Sequence, residues 1–378
     1  MTNAPVLKTP IKMPSALLPE LERARELLAP VGPVLERLES DPTLGAALDK
    51  VLVCSPFFVD SACRDGQLLE QLIDSQSLVR PMDRSALSAE LDQLLRDAPD
   101  EATAMVVLRR MRRREWMRLA WREIADSSRV MDTLAELTDA ADILIRGALD
   151  FANRSLVARH GVPRGADGEA QESMVFGMGK LGGGELNYSS DIDLICLFDE
   201  AKFDESDRHD ARQAFIRATR KAAAMLNDHT GEGYVFRTDL RLRPDASVTP
   251  VCISMEAAER YYESLGRTWE RAVWIKARPC AGDLAAGARF IETLRPFVWR
   301  RHLDYAAIQD AHDMRLRIRK HKGLGGALVL EGHNMKLGQG GIREIEFFTQ
   351  TRQLISGGRD PDLRLRDTVG GLAALAQK

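Results

Sequence analysis

The sequence has little cysteine, no long apolar run and no large excess of one charge. Its 378 residues include five cysteines, with no CxxC pair and no Cys/His spacing typical of a zinc site. A disulfide framework is therefore not indicated, and we expect the cysteines to be reduced core residues. No run reaches the roughly 18 apolar residues of a membrane helix, and the N-terminus lacks the apolar stretch of a signal peptide. These absences predict a cytoplasmic protein with no membrane partner.

The formal net charge of −3 argues against general nucleic-acid binding. The arginine-rich run LRRMRRREWMR, residues 108–118, nevertheless allows two interpretations. Its arginines, interleaved with Trp116 and Trp121, could bind phosphates and stack bases. Alternatively, one helix face is buried and the arginine stems lie along its flanks. We favour the packed helix, whose buried face would hold Leu108, Met111, Met117, Trp121 and Ile124, and we expect no nucleic-acid partner.

The composition changes twice along the chain. Residues 1–160 are rich in Leu, Ala, Arg and Glu, with apolar positions three and four apart, which predicts a helical region. Residues 161–300 follow a glycine-rich connector and carry strand patterns, and residues 301–378 are helical again. The predicted strands are Val175–Lys180, Ile192–Phe198 and Tyr234–Leu242; the predicted helices are Ser206–His229, Tyr305–Lys322 and Gly341–Ser356. The predicted fold class is α+β, mostly helical, with a small mixed sheet.

The stretch GMGKLGGGELNYSSDIDLICLFDE, residues 177–200, begins with a GxGxxG pattern. A dinucleotide-binding turn requires the last glycine to lead into a helix, with an acidic residue about 20 positions later. Here only seven turn-prone residues separate Gly183 from Asp191, too few for a crossover helix. A Walker loop is excluded because Lys180 is followed by leucine. The glycines instead lead to an Asp-Ile-Asp motif.

Asp191 and Asp193 alternate with Ile192 at the start of an apolar strand, so both carboxylates share one face. Two carboxylates at this distance repel each other unless a cation neutralises them. Oxygen ligands of this kind suit Mg²⁺ or Mn²⁺. DxD pairs also occur by chance on solvated strand ends, but the apolar strand and the preceding glycines favour a cation site.

The segment GYVFRTDLRLRPD supplies a third carboxylate, Asp239. On a strand, Asp239, Arg241 and Arg243 share one face, and Pro244 ends the strand. A carboxylate that completes a cation cluster, beside arginines that bind phosphate oxygens, fits phosphoryl or nucleotidyl transfer. The alternative is an ion-pair ladder on an exposed sheet.

Taken together, these motifs carry a resemblance. Glycines before Asp-x-Asp, with a lone Asp on a later strand, resemble the DNA polymerase β-type nucleotidyltransferase fold. GMGKLGGGELNYSSDIDLI, FRTDLRLRPD and KLGQGGIREIEFFTQTRQLISGG together resemble the bacterial glutamine synthetase adenylyltransferase/adenylyl-removing enzymes. SPFFVDSACRDGQLLEQLI and LRRMRRREWMRLAWREIA are similar to the N-terminal region of that family.

Family members carry two nucleotidyltransferase domains in tandem: one removes AMP from a glutamine synthetase tyrosine by phosphorolysis, and the other adds AMP from ATP. KLGGGELNYSSDIDL is closer to the removing half. The resemblance therefore implies an adenylyl-removing fragment, with residues 161–300 as catalytic domain and residues 301–378 cut short. It implies glutamine synthetase as substrate and the PII signal protein as regulator. An ATP-dependent adenylyltransferase and a regulatory module with a disabled site are the alternatives.

The resemblance also implies roles for individual residues. Asp191, Asp193 and Asp239 would bind Mg²⁺ or Mn²⁺, and the backbone at Gly182 and Gly183 would face the phosphates of the substrates, phosphate and ADP. Further expected phosphate or nucleotide contacts are Lys180, Ser190, Arg241 and Arg243. The spacing of seven residues is short for the general fold.

The motif KLGQGGIREIEFF has two interpretations. Its glycines precede a helix whose first amides could bind an anion. Arg343 and Glu346, with Lys336 and Glu344, could then line the site. Ile342, Ile345 and Thr349 share another face, for which we expect core packing. The pair His312-Asp313, which resembles a phosphohydrolase motif, is expected on a helix surface.

Overall fold

A computed structural model describes residues 13–301 and 330–378, with residues 158 and 159 described by their backbone only. The predicted helix Tyr305–Lys322 and the His312-Asp313 pair lie outside the described residues. The α-helices are α1 Leu18–Leu27, α2 Gly32–Ser40, α3 Pro42–Cys54, α4 Pro56–Arg64, α5 Gly66–Asp74, α6 Arg84–Asp97, α7 Glu101–Ile124, α8 Val130–His160, α9 Gly179–Gly182, α10 Arg208–Asn227, α11 Met255–Ser264, α12 Thr268–Ile275, α13 Leu284–Thr293, α14 Arg295–Val298, α15 Ile342–Ser356 and α16 Thr368–Ala376. Short 3₁₀ turns are Ser15–Leu17, Ala29–Val31, Glu200–Lys202 and Pro361–Leu363.

The chain forms two compact units. The first unit comprises Met1–Phe151, Leu186–Ser190 and Ala224–Phe236, and the second comprises Ala152–Glu185, Asp191–Ala223 and Arg237–Lys378. The division of the sequence at residues 160 and 300 stays a prediction. The mostly helical α+β class with a small mixed sheet is confirmed.

The first unit is built from capped amphipathic helices. Asp41 accepts hydrogen bonds from two backbone amides at the start of α3, and Ser55 and Asp100 cap α4 and α7 in the same way. Proline occupies the first position of α3 and of α4, where no intrahelical donor is needed. Buried leucines of α1, α2, α3 and α5, with Phe58 of α4, pack against Met117 and Trp121 of α7 in one core. Burial of apolar side chains is therefore the main contribution to the stability of this unit.

Helix α7 carries the arginine-rich run, and the packed-helix interpretation is confirmed. Leu108, Met111, Met117 and Trp121 are buried. Several arginines of the run are buried as well, and their guanidinium groups donate hydrogen bonds to nearby carboxylate or carbonyl oxygens. Arg118 Nε donates to Glu115 Oε2 at 2.7 Å, and Arg109 donates to backbone carbonyls of residues 105, 225, 228 and 233.

The sheet belongs to the second unit. Its strands are β1 Met174–Gly177, β2 Ile192–Phe198, β3 Thr238–Asp239, β4 Cys252–Ser254 and β5 Arg278–Gly282. The order is β3-β2-β1-β5, and β4 also pairs with β2. Strand β1 is antiparallel to β2 and β5, whereas β2 is parallel to β3 and β4. Phe176, Ile195 and Leu197 join Trp274 and Phe290 in the core beneath the sheet.

Predicted and observed elements differ at the strands. Ile192–Phe198 is confirmed to the residue, and the helices at 206–229 and 341–356 are observed with slightly shorter bounds. The strand predicted at 175–180 ends at Gly177, and the one predicted at 234–242 shrinks to Thr238–Asp239. The strands β4 and β5, three and five residues long, were not predicted.

Three of the five free cysteines, Cys196, Cys252 and Cys280, are buried as expected, whereas Cys54 and Cys63 are exposed. Within the described ranges 13–301 and 330–378, no single helix is long and apolar enough to cross a membrane. The sharply bent pair of α3 and α4 passes that length and composition test together. Its apolar residues Leu48, Val51 and Phe58 lie in the core of the first unit.

Candidate active site

Two of the three predicted acidic residues lie side by side on neighbouring strands. In the parallel pairing of β2 with β3, Asp193 is the register partner of Asp239, and Ile192 is the partner of Thr238. Register partners on parallel strands point to the same face of a sheet. Asp191 precedes β2, two residues before Asp193, and the negative charges of Asp191 and Asp239 both act on Asp193. The structure therefore brings the three acidic residues together.

A glycine turn lies directly against this acidic group. After β1, the Met178 amide donates to the Asp193 carbonyl at 2.9 Å, and the chain then turns into the single-turn helix α9. Gly179 begins that helix with a φ of 52°, in the region that favours glycine. A Cβ atom on Gly179 would lie 3.1 Å from Asp193 Oδ2. The sequence needs glycine here because the backbone approaches the carboxylate so closely.

Arginines hold the two outer carboxylates. Arg237 Nε donates to Asp191 Oδ1, and the Arg241 guanidinium binds both oxygens of Asp239 while its backbone amide donates to Asp239 Oδ1. The hydrogen bond from Arg241 is the main reason that the pKa of Asp239 is lowered. For Asp193, burial raises the pKa to about 6, and the charges of Asp239 and Asp191 add to this effect. For Asp193, burial and the two neighbouring negative charges outweigh the positive charges of Arg241 and Arg343.

The donor set fits a divalent cation in charge and in ligand type. Three carboxylates, one of which has a raised pKa, make a site that a hard cation would stabilise. In the part of the chain that the structure describes, however, no group of three or more acidic, histidine or cysteine side chains is arranged as a ready metal site. Asp191 and Asp239 are instead paired with Arg237 and Arg241.

The raised pKa of Asp193 gives a stability prediction for the cation-free protein. Between pH of about 4 and about 6 the folded state holds a proton on Asp193 that the unfolded state has lost, so stability falls as pH rises through this window. Asp193→Asn removes the charge, and we expect it to raise stability at pH 8 by at most about 3 kcal/mol. Melting temperatures in EDTA at pH 5 and pH 8 measure this.

The matched control for that prediction is Asp239→Asn. The pKa of Asp239 is lowered, so its ionised form stabilises the fold, and that stability is present above the ordinary carboxyl pKa. Its replacement should therefore lower the melting temperature at pH 8. Equal destabilisation by both substitutions would contradict the inference that the ionised form of Asp193 destabilises the fold.

The predicted strand face carrying Arg241 and Arg243 is wrong. Strand β3 ends at Asp239, because the Asp239 side chain accepts the Arg241 amide and turns the chain. Arg243 then donates to the carbonyls of Leu240, Ala246, Thr249 and Pro250. These four bonds close the loop between β3 and β4 and occupy the guanidinium. Pro244 consequently does not end a strand. Arg243 holds the loop together, and its contact with phosphate stays a prediction.

The expectation that the backbone at Gly182 and Gly183 faces the phosphates stays a prediction, but both amides already have local partners. Their amides donate to the carbonyls of Met178 and Gly179, both at 3.0 Å, within the turn of α9. Gly182 is buried, and a Cβ atom there would lie 2.1 Å from the Lys276 carbonyl oxygen. These glycines are required for close backbone packing, and their N–H groups are already used.

Two further predicted phosphate contacts, Lys180 and Ser190, differ in their surroundings. The Lys180 side chain on α9 is half-buried and has no ion pair among the described residues, so it stays a predicted phosphate contact. Ser190 belongs to the first unit, where its hydroxyl donates to Asn187 Oδ1 at 2.7 Å. Ser190 therefore stabilises the local turn of residues 187–190.

The second glycine motif, KLGQGGIREIEFF, leads into helix α15. The positive charge of Arg343 lowers the pKa of Asp193, which indicates that Arg343 lies within electrostatic reach of the acidic group. Glu346, one turn later, lies 3.5 Å from Lys276 Nζ. Glu344 instead caps the preceding loop by accepting the Gly340 amide. The expected core face holds for Thr349, which is buried, but is wrong for Ile342 and Ile345, which are 47% and 41% exposed.

Sequence reasoning missed three residues at this site: Gly179, Arg237 and Lys276. Gly179 could have been found, since it is the first glycine after the end of β1. Arg237 stands two positions before Asp239, and the alternation of a strand signals that both share a face. Lys276 had no signal, because its partners Glu185 and Thr368 lie 91 and 92 residues away.

Comparisons with known proteins identify the family of the chain. The model of the family described as glutamate-ammonia ligase adenylyltransferase matches residues 45–293, and the model described as GlnD PII-uridylyltransferase matches residues 311–378. A bifunctional glutamine synthetase adenylyltransferase/adenylyl-removing enzyme of Mesorhizobium japonicum is 45% identical over 338 residues, which cover 88% of this chain and 34% of the relative. The enzymes of the same name from Rhizobium meliloti and Thioalkalivibrio sulfidiphilus are each 44% identical, covering 91% and 88% of this chain and 35% and 34% of the relatives.

The chain spans about a third of the length of the curated relatives it matches. The family match at residues 45–293 contains both the Asp-Ile-Asp motif and Asp239. The chain belongs to the glutamate-ammonia ligase adenylyltransferase family.

Proposed function

We propose that this chain removes AMP from an adenylylated tyrosine of glutamine synthetase by phosphorolysis, which gives ADP and the free tyrosine. The observation that carries the proposal is the pairing of Asp193 with Asp239 in register, beside the glycine turn and Asp191. Such a group of carboxylates suits the cation-assisted transfer of a nucleotidyl group. The relatives are named for both addition and removal. The wording KLGGGELNYSSDIDL, which resembles the removing half, favours removal.

In the proposed reaction, an oxygen of inorganic phosphate attacks the phosphorus of the tyrosyl-AMP ester. The bond from phosphorus to the tyrosine oxygen breaks, and the electron pair leaves on that oxygen. The proton of the attacking hydrogen phosphate then converts this oxygen to the phenol. A phenol with a pKa near 10 is a moderately good leaving group. Asp191, Asp193 and Asp239 would hold Mg²⁺ or Mn²⁺, which would neutralise charge on the phosphoryl oxygens.

The basic side chains near the acidic group have separate roles in this proposal. Arg343 and Lys180 supply positive charge for the attacking phosphate, since Arg343 acts on Asp193 and Lys180 has no ion pair within the described residues. Arg237 and Arg241 hold Asp191 and Asp239 until a cation replaces them. Arg241 is 85% exposed, so it can swing to a phosphate once released.

The experiment mixes the purified chain with adenylylated glutamine synthetase, radiolabelled phosphate and Mg²⁺ or Mn²⁺. Formation of labelled ADP supports the proposal. Pyrophosphate formation from ATP with unmodified glutamine synthetase supports the adding activity instead and overturns removal. Absence of both products, with the cation still bound, would indicate a regulatory module.

We also infer that the PII signal protein regulates the reaction. The support is the match of residues 311–378 to a family named for PII uridylylation. Titrating PII into the ADP assay checks this, and a rate that does not change at saturating PII contradicts it.

A further inference from the structure

A buried lysine joins three separate segments of the second unit. The side chain of Lys276, just after α12, is only 4% exposed. Its ammonium group donates to Glu185 Oε2 at 2.7 Å and to Thr368 Oγ1 at 2.9 Å, and Glu346 Oε1 lies 3.5 Å away. These partners stand at the end of the glycine turn, at the start of α16 and on α15. A buried ammonium persists only where such partners replace water.

The Glu185 carboxylate is the centre of this group. Besides the lysine, it accepts the Thr368 backbone amide at 2.7 Å and the Thr368 hydroxyl at 3.0 Å. The first contact places the negative charge at the start of α16, where it also interacts favourably with the helix dipole. The Glu185 amide donates back to the Lys180 carbonyl at 2.8 Å. The carboxylate thus connects the turn of residues 179–185 to α16.

The backbone after Lys276 supports the same turn. The Lys276 carbonyl fills the space beside Gly182, and Arg278 donates to the Leu181 carbonyl at 3.1 Å. Arg366, just before α16, donates to the Ala277 carbonyl at 3.0 Å. The backbone of Lys276 and the side chain of Arg278 therefore pack against the turn, and Ala277 between them is bonded to Arg366. The opposite end of the turn is Gly179, which lies against Asp193.

We propose that Lys276 is a positioning residue: through Glu185 and Glu346, its ammonium holds the glycine turn against Asp193 and keeps the helix that carries Arg343 in place. This inference rests on the proposed function, because it assigns a role in aligning the site for that reaction. Glu346 stands three residues after Arg343 on α15, so the two side chains share one face of the helix. Holding Glu346 near the lysine therefore restrains α15, the helix from which Arg343 projects.

The test compares Lys276→Met with the double change Lys276→Met plus Glu185→Gln. The single change leaves buried carboxylates without a cation and is expected to unfold part of the unit. The double change removes both charges, and the glutamine can still accept from Thr368, so the fold is retained. We expect the double variant to lose about tenfold to a hundredfold in kcat for ADP formation, with KM for phosphate changed less than threefold.

A second readout is independent of activity. Amide hydrogen exchange at Gly183 and Glu185 should accelerate at least about tenfold in the double variant, while exchange in β1 and β2 is unchanged. The matched control is Lys202→Met, which breaks the ion pair with Asp283 elsewhere in the unit and should leave both readouts unchanged. Wild-type exchange at the turn together with kcat within twofold of wild type overturns the positioning role. If the wild-type chain makes no ADP, the proposed function fails, and exchange at the turn alone decides whether Lys276 holds it.

Discussion

Replacing Asp191 and Asp193 together by asparagine is expected to lower the rate of ADP formation by at least about 1,000-fold, because cation stabilisation of a phosphoryl transition state contributes several kcal/mol and each 1.36 kcal/mol corresponds to a factor of ten. The loss should appear in kcat, since the cation acts on charge that develops during the reaction. Release of labelled ADP from adenylylated glutamine synthetase measures the rate.

The fold is expected to survive this double change. Asp191 has a side chain that is 55% exposed, and removing the Asp193 charge relieves repulsion from its neighbours. Adding Mg²⁺ or Mn²⁺ should raise the melting temperature of the wild type and leave that of the double variant unchanged. These two measurements separate loss of the cation from loss of structure.

A matched control removes two carboxylates elsewhere in the same unit. Asp204 and Glu205 are exposed in the loop before α10. Asp204→Asn plus Glu205→Gln makes the same change in net charge and should keep the rate within a factor of two. The cation assignment would be wrong if the Asp191/Asp193 variant kept more than a tenth of the wild-type rate.

Local sequence patterns were sufficient to predict β2 and the two carboxylates at its start. Strand β2 is seven residues long, and Asp193 alternates with the buried Ile192 and Leu194, so the spacing alone fixes which side chains share a face. Asp239 was found for the same reason, although its strand is only two residues long. The placement of Asp193 and Asp239 on strands could therefore be predicted from local spacing.

The arginines and the glycines were harder to assign, because their partners are distant in sequence or are backbone atoms. Arg243 alternates with Leu242 as a strand residue would, yet four carbonyl groups of one loop determine its position. Gly182 matched a phosphate-binding pattern, but the constraint on it comes from the carbonyl of Lys276, 94 residues later. Periodicity carries no information about such contacts.

Substituting Gly182 by alanine is expected to destabilise the second unit by about 3 kcal/mol or more, since overpacking against backbone atoms cannot be relieved by rotating a side chain. The new Cβ would lie 2.1 Å from the Lys276 carbonyl oxygen and 2.4 Å from that of Gly177. Either β1 or the segment after α12 must move. The free energy of opening, taken from the slowest-exchanging amides of β1 and β2, measures the effect.

Gly184→Ala, two positions away in the same turn, is the matched control. Gly184 has a φ of 73°, but no atom lies within 4 Å of its added Cβ. Its cost is only the strain of a left-handed alanine, about 1 kcal/mol. The difference between the two variants isolates the contact with Lys276 from the conformational preference of glycine. Equal destabilisation would show that the backbone of residues 276–278 does not support the turn, and the role inferred for Lys276 would then fail as well.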